Sequence, residues 1–469
     1  MTTLRKTLFV GWLALYMVIC PLMLWYTLHY LYAGVAVIET LPEGATLSLN
    51  GQVQERKSPA ILPNLSSGTY SLLLQKEGVR DFQLNLDVKD GEATVLDQIL
   101  LLSEKTEWVS SVDLTYDTLM PIPGSNYFLL MHSDRKSEAS VYCTIDNTSY
   151  PLFPPKIHGS SIKIDRITTI PGSTVVVVNL RKNNKRLVYR MDVKEQLGEV
   201  QDLTDLVSNG GGEFMWSAEK PDWLFYYYDE KIELIDLKRK TKVKRFAEDW
   251  VGVGLGKKNV FGVNESGKFF QTDYSGKMLE TEATEFKFKK GLFGKTSFVR
   301  ILPMDNNAVI LHEVGGPLWQ SELPNLLTDR AVEGLLISPQ SENIVVWTAE
   351  DLGIRFSEEA HSSSRIFNEG LKIHWLVEGA SEILCPTFIL NGSKILYGQD
   401  GQIWLHELDL DRDVPREVMK IMPGTDFHFS ERQGGIYALD SETGRVIFLK
   451  LLPSQQNVHI DDMQVGDIL

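Results

Sequence analysis

The sequence predicts an all-β protein on one N-terminal transmembrane helix: a small β-sandwich first, then a β-propeller. Three observations predict it. No Asp, Glu, Lys or Arg occurs from Thr7 to Ile38. Residues 35–103 alternate short strands with turn residues. From Trp108 onward a turn–strand–turn–strand pattern recurs in eight units. The expected organisation is a cytoplasmic N-terminus over 1–6, a transmembrane anchor over 7–34, and a β-domain over 35–103. A propeller over 104–453 and a loose tail over 454–469 follow.

A bilayer-spanning helix needs about 20 apolar residues, and the run from Leu8 to Tyr32 is longer than that. Pro21 lies mid-segment, where membrane helices tolerate a kink. Trp25, Tyr26, Tyr30 and Tyr32 read as an aromatic belt at the far interface, and Arg5 and Lys6 flank the near one. The positive-inside rule then leaves the N-terminus in the cytoplasm and the bulk of the chain outside. The rival is a cleaved signal peptide. Its apolar core would be about 7–15 residues long and end at small residues, and Ala33-Gly34 lies beyond the aromatic belt. An uncleaved anchor fits better. His29 reads as an interfacial histidine rather than a proton relay.

Hydrophobic content of 43% and charged content of 23% describe folded protein. The net charge of −15 argues against nucleic acid as the main partner, because phosphate backbones select cationic surfaces. Three cysteines make no disulfide framework. Cys143 and Cys385 read as buried small apolar residues, with a single bridge between them as the alternative in an oxidising compartment. Asn64, Asn147, Asn264 and Asn391 each begin an N-x-Ser/Thr sequon, which matters only where the cell glycosylates.

Within 35–103 the strands are legible one by one. Thr46–Leu49 alternates polar and apolar residues and leads into Asn50-Gly51. Asn-Gly between alternating runs marks a hairpin, since both turn positions need positive φ. Tyr70–Leu74 is a second strand. Phe82–Val88 alternates with period two and buries one face. Lys89–Glu92 turns, and Ala93–Leu102 makes the last strand.

Pro42-Glu43-Gly44-Ala45 opens this stretch. With Gly51, the Ser58-Pro59 step, Gly68-Thr69-Tyr70 and Gly78, it makes residues 36–102 resemble a PEGA domain, although Val79 stands where that family has an aromatic. The resemblance implies an extracytoplasmic prokaryotic module of the cell envelope with no shared catalytic residue.

The repeat units justify the propeller. Their first strands lie in 122–130, 170–178, 218–226, 256–263, 304–311, 339–347, 390–398 and 431–439. Their second strands are VYCTID (141–146), LVYRMD (187–192), IELIDL (232–237), FFQTDY (269–274), LWQSEL (318–323), GIRFSE (353–358), IWLHEL (403–408) and VIFLKL (446–451). A spacing of about 35–50 residues suits blades of four strands. Eight blades are expected, with seven as the alternative. Val109–Leu114 is expected to supply the outer strand of the last blade and close the ring, which removes open edges. The units loosely resemble the turn–strand pattern of TolB-like or YVTN-like propellers, and a chain of β-sandwiches is the competing architecture.

No G-x-S-x-G, HExxH, CxxC, phosphate loop or dinucleotide fingerprint is present. His406, Glu407, Asp409, Asp411 and Asp413 are the richest acidic cluster. Alternating carboxylates suit calcium, but the EF-hand glycine and distal glutamate are missing, and a solvated hairpin is the plainer reading. The basic run Lys238–Arg245 and the stretch Arg181–Arg186 could touch anionic polymer or lipid; charged hairpin tips are plainer. Tyr226–Tyr228 and Trp216, Trp223, Trp250, Trp319, Trp347, Trp375 and Trp404 could stack on sugars, yet large aromatics more often fill β cores.

No catalytic, cofactor-binding or metal-ligating residue is therefore nominated. The expected function is a membrane-anchored, extracytoplasmic binding or scaffold protein of a prokaryotic envelope. Its partners would be the lipid bilayer through the helix, and an envelope protein or glycan through propeller loops, with no nucleic acid. The alternative is a glycan- or peptide-processing enzyme with a site at the propeller channel.

Overall fold

The computed structural model describes residues 16–21, 23 and 33–452. It omits 110–113, 134–137, 155–156, 158–161, 170–171, 195–199, 208–211, 218–219, 229–230, 246–249, 257–258, 276, 281–298, 304–308, 314–315, 321–324, 339–342, 357–371 and 409–414. Residues 16–21 and 23 are helical, with Tyr16, Met17, Val18 and Met23 exposed. Among the described residues no helix is long and apolar enough to cross a membrane. Most of the expected span 7–34 and all of the expected tail 454–469 lie outside the described residues. The remainder divides into two compact units, one ending at Thr106 and taking in the chain from Leu449, the other spanning Glu107–Phe448.

The first unit holds seven strands: β1 (Gly34–Leu41), β2 (Thr46–Leu49), β3 (Gln52–Lys57), β4 (Ala60–Leu65), β5 (Gly68–Gln75), β6 (Phe82–Val88) and β7 (Ala93–Leu100). They form two sheets, ordered β4-β1-β7 and β3-β2-β5-β6. In β6, alternate residues Phe82, Leu84, Leu86 and Val88 are buried, as period two requires. Each such side chain contributes about 1.5–3 kcal/mol. Asn50 (φ 48°) and Gly51 (φ 81°) make the β2–β3 turn.

The Pro42–Ala45 turn is fastened to the Ser58-Pro59 step. Ser58 donates its backbone N–H to Ala45 O at 2.9 Å and accepts Gly44 N–H at 2.8 Å. Its Oγ accepts Ala45 N–H at 2.9 Å and meets the Thr40 hydroxyl. Thr40 and Ser58 are both buried, and Thr40 also donates to Pro42 O at 2.9 Å, so the two hydroxyls link the ends of the turn. The motif that carries the family resemblance therefore serves as a turn lock.

The second unit is a run of four-stranded antiparallel meanders. After β8 (Glu107–Trp108) come β9 (Thr118–Pro121), β10 (Tyr127–Met131), β11 (Ser140–Cys143) and β12 (Thr148–Pro151). Next are β13 (Ile162–Thr168), β14 (Val175–Lys182), β15 (Lys185–Asp192) and β16 (Gln201–Asp202), then β17 (Glu213–Ser217), β18 (Lys220–Tyr228), β19 (Lys231–Asp236) and β20 (Thr241–Arg245). An eight-stranded sheet follows. Half of it is β21 (Trp250–Leu255), β22 (Asn259–Asn264), β23 (Phe269–Asp273) and β24 (Met278–Glu280). The other half is β25 (Val299–Pro303), β26 (Val309–Glu313), β27 (Gly316–Gln320) and β28 (Asn325–Val332). The last sheets are β29 (Gly334–Ile337), β30 (Ile344–Trp347), β31 (Leu352–Arg355) and β32 (His374–Val377), then β33 (Leu384–Ile389), β34 (Lys394–Gln399), β35 (Gln402–Glu407) and β36 (Arg416–Lys420). The final sheet is β37 (His428–Ser430), β38 (Gly435–Leu439) and β39 (Val446–Lys450), with β8 as its fourth strand.

The middle strands are the most apolar because neighbours cover both faces: Val175–Leu180 of β14 is buried throughout. The first strands of the sheets converge. β21 and β25 pair directly and in parallel, Gly252 with Val299 and Val253 with Arg300. Two glycines permit it: a Cβ on Gly252 or Gly254 would lie 2.5 Å from Val299 O or 2.1 Å from Ile301 O.

The array closes on itself, which makes it a β-propeller. β8 pairs with β39, Ile447 opposite Trp108, and Val109 N–H donates to Val446 O at 3.1 Å. The closing strand thus lies just before the expected Val109–Leu114, of which 110–113 is outside the described residues. Leu119, Phe128, Leu130 and Tyr142 from the first sheet, with Tyr116 just before it, share one core with Tyr437, Leu439 and Val446 from the last.

Candidate functional site

Where the first strands converge, three charged side chains meet. Arg166 lies on β13, Glu213 opens β17, and Arg300 is the second residue of β25. Arg166 grips Glu213 with two parallel hydrogen bonds, each of 2.7 Å. This fork-to-fork geometry is the strongest that a guanidinium makes with a carboxylate. Arg300 reaches Oε2 of the same carboxylate at 3.7 Å. The cluster carries two positive charges and one negative.

Glu213 and Arg300 are each the single charge of an apolar strand, EFMWS and VRILP, whereas Arg166 shares IKIDRIT with Lys163 and Asp165. Alternation turns the apolar neighbours into the blades and the charge to the opposite side. The Arg300 side chain keeps 42% of its exposure. Its pKa is nevertheless lowered, first by burial, with Arg166 adding and Glu213 opposing. Behind it on β26, paired with Arg300 across the ladder, His312 is buried and places Nε2 2.9 Å from Val332 O. Burial, then the Arg300 charge, holds its pKa down to about 4.

A second polar group lies at the start of two other first strands. Cys385 of β33 is hydrogen-bonded to Asp426, which precedes β37. Burial raises both pKa values, so the thiol is not an activated nucleophile. The cysteines are free, Cys143 is buried, and no bridge joins Cys143 to Cys385. Among the described residues no three His, Cys, Asp or Glu are grouped to hold a metal.

The residues singled out by sequence take structural places. Glu407 is buried, paired with Arg416 at 2.9 Å and Lys394 at 3.9 Å, so it offers calcium no free carboxylate. His406 is buried on the same strand, and Asp409, Asp411 and Asp413 lie outside the described residues. In the basic run, Lys238 pairs with Asp222, Arg239 with Asp236 and Lys242 with Glu233. Arg181–Arg186 is a hairpin tip, with Asn183 and Asn184 at positive φ. Trp216, Trp250 and Tyr226 are buried in blade cores. Trp375 lies under the Arg330 guanidinium, 4.0 Å away, and Arg330 also binds Asp351 and Glu378. The side chain of Trp319 lies outside the described residues. The charged cluster itself was not singled out, because positions 166, 213 and 300 are brought together by topology and not by spacing.

Comparison with known proteins gives one family. Residues 33–102 match the family model of the PEGA domain. No curated protein matches. Among solved structures, the chain is similar to BamB from Moraxella catarrhalis, with 14% identity and a TM-score of 0.45 over 74% of this chain and 100% of that one. It is also similar to the Cps50 (Swd1) β-propeller domain of Myceliophteria thermophila, with 8% identity and a TM-score of 0.40 over 74% and 100%. The computationally designed Ika8 protein gives 13% identity and 0.43 over 73% and 98%. None of these scores reaches 0.5, and the propeller rests on the strand pairing. PEGA domain and propeller together account for both compact units.

Proposed function

We propose that this protein is a non-catalytic binding scaffold of a prokaryotic cell envelope. An N-terminal single-pass helix anchors it, the PEGA domain stands outside the cytoplasm, and an eight-bladed propeller receives a protein partner at the mouth of its first strands. Division of the eight-stranded sheet at its parallel pair, β21–β25, supports the count of eight blades. The anchor rests on the uncharged run from Thr7 to Ile38. The observation that carries the binding role is the Arg166–Glu213–Arg300 cluster, an accessible charged group where first strands of a closed ring converge. Rigid scaffolds that present polar groups at one end are suited to recognition. A glycan partner and an enzymatic role have no comparable support among the described residues.

Cross-linking in intact membranes tests this. A photoreactive residue at Lys163, exposed on β13, is expected to trap one discrete protein. The same residue at Lys238, at the opposite end of its sheet, is expected not to. Equal trapping at both positions, or none at Lys163, overturns the reading. Protease added to spheroplasts is expected to degrade the propeller, and protection would overturn the extracytoplasmic placement.

A further inference from the structure

The charge cluster is unbalanced. Glu213 spends both oxygens on Arg166. Arg300 is left at 3.7 Å, beyond hydrogen-bonding length. Among the described residues Glu213 is the acidic partner of Arg300, so its donors are not saturated by protein. The Arg300 side chain is reachable, with 42% of it exposed, and partial burial is the leading cause that lowers its pKa.

A partly desolvated cation gains most from an anion that brings its own hydrogen-bond acceptors. A planar guanidinium fork fits a carboxylate in two-point contact. The surrounding chain selects among anions. With a net charge of −15, it repels long polyanions as a whole. A single carboxylate approaching the three-residue cluster meets its excess of one positive charge. The first strands that frame the cluster are held in place by the β21–β25 pairing, so the site is preorganised.

Building on the scaffold reading, we propose that Arg300, with Arg166 beside it, anchors a carboxylate side chain of an acidic protein segment that enters the propeller mouth. Glu213 then acts as an internal competitor for the same arginines. The partner segment displaces its hold on Arg300 and leaves the Arg166 fork intact.

The test is fluorescence anisotropy of a labelled hexaglutamate peptide with the full-length protein in detergent, with hexaglutamine as the comparison. Hexaglutamate is expected to bind and hexaglutamine not to. Arg300→Gln is expected to weaken binding at least about tenfold, the scale of one charged hydrogen bond. Glu213→Gln is expected to tighten it severalfold, because both arginines are released. Arg239→Gln, in a hairpin turn at the far end, is expected to change nothing. Equal binding of both peptides, no binding of hexaglutamate, or unchanged affinity in Arg300→Gln overturns the proposal. If Arg300→Gln does not melt cooperatively, Glu213→Gln decides, and unchanged or weaker binding there overturns it. If hexaglutamate fails while the Lys163 cross-link persists, the carboxylate proposal falls and the scaffold reading stands.

Discussion

The Tyr437 phenol donates to Oδ1 of Asn147 at 3.3 Å, joining the last sheet of the propeller to the first. Tyr142 donates to the same oxygen at 3.1 Å. Two further bonds cross this seam: the Thr144 and Ser430 hydroxyls at 3.2 Å, and Gln433 Nε2 to Thr144 O at 2.8 Å. Phe128 and Tyr142 stack, and Tyr437 packs tilted against both, with ring centroids 4.8–5.6 Å apart. Closure is therefore more than the short β8–β39 pair. A sealed ring fixes where the first strands converge, and so fixes the charged cluster.

Asn147→Ala should open this seam. It removes one acceptor from two tyrosine hydroxyls in a partly buried place, at a cost of about 1–3 kcal/mol. Asn147 also sits at φ 56°, which adds a backbone cost for alanine. Asn147→Gly relieves the second cost alone, so the difference between the two variants in urea unfolding separates them. Tyr437→Phe in the Asn147→Gly background should cost less than in the wild type. Additivity of the two changes would show that the bond is not formed.

Gly254→Ala should separate β21 from β25. The new Cβ would lie 2.1 Å from Ile301 O, and a backbone atom cannot swing aside. Overpacking of this kind costs roughly 1–3 kcal/mol. Because β25 carries Arg300, the same variant should weaken hexaglutamate binding. A thermal midpoint and affinity equal to wild type would refute the direct strand pair.

Much of this architecture was legible in the sequence because the middle strands of each blade are covered on both faces. All sixteen quoted stretches contain or overlap such a strand, from β10 and β11 to β38 and β39. The two-residue strands β8 and β16 have no such signature, and the closing strand was expected a little late. One sequence signal lay unused. VYCTID, LVYRMD, IELIDL and FFQTDY each carry an Asp near the strand end. Asp146, Asp192, Asp236 and Asp273 accept backbone N–H groups of the following turns. The cluster was not legible, since Arg166, Glu213 and Arg300 lie on three strands far apart in sequence. A lone charge in an apolar first strand, as at Glu213 and Arg300, is the signal to seek.

Acid should destabilise the propeller through its buried histidines. His428 is buried against Phe128 and Tyr437, and burial alone holds its pKa down to about 3. It is neutral when folded, while the unfolded chain protonates near pH 6.5. Protons therefore favour unfolding, and stability falls as pH drops below about 6.5 toward the folded value. His312, held near 4, acts in the same direction. At pH 4.5 the loss is on the order of 2 kcal/mol for each histidine. Asp117 and Asp351, whose pKa values are lowered, lose stability only in a more acidic window. Asp426, raised by burial, works in the opposite sense. His428→Phe should therefore flatten the profile between pH 6.5 and 4.5 without removing it. An unchanged profile would mean that His428 is not buried as a neutral ring.

Ser58→Ala should loosen the PEGA domain through the turn that its motif builds. The substitution removes the acceptor of Ala45 N–H and the partner of the Thr40 hydroxyl, both in a buried place. Thr40 keeps one bond, to Pro42 O at 2.9 Å, so the loss is that of one orphaned amide and a weakened hydroxyl. The expected cost is about 1–3 kcal/mol. Thr40→Val in the Ser58→Ala background should add a further cost, because it takes from Pro42 O the donor that Thr40 still supplies. Hydrogen exchange of the full chain reads this locally. Ala45 N–H should lose protection in Ser58→Ala while the amides of β14 in the propeller keep theirs. Retained protection at Ala45 would show that the serine hydroxyl does not hold the turn. Loss in β14 as well would show that the PEGA domain and the propeller unfold as one cooperative body, in which case the motif stabilises far more than its own module.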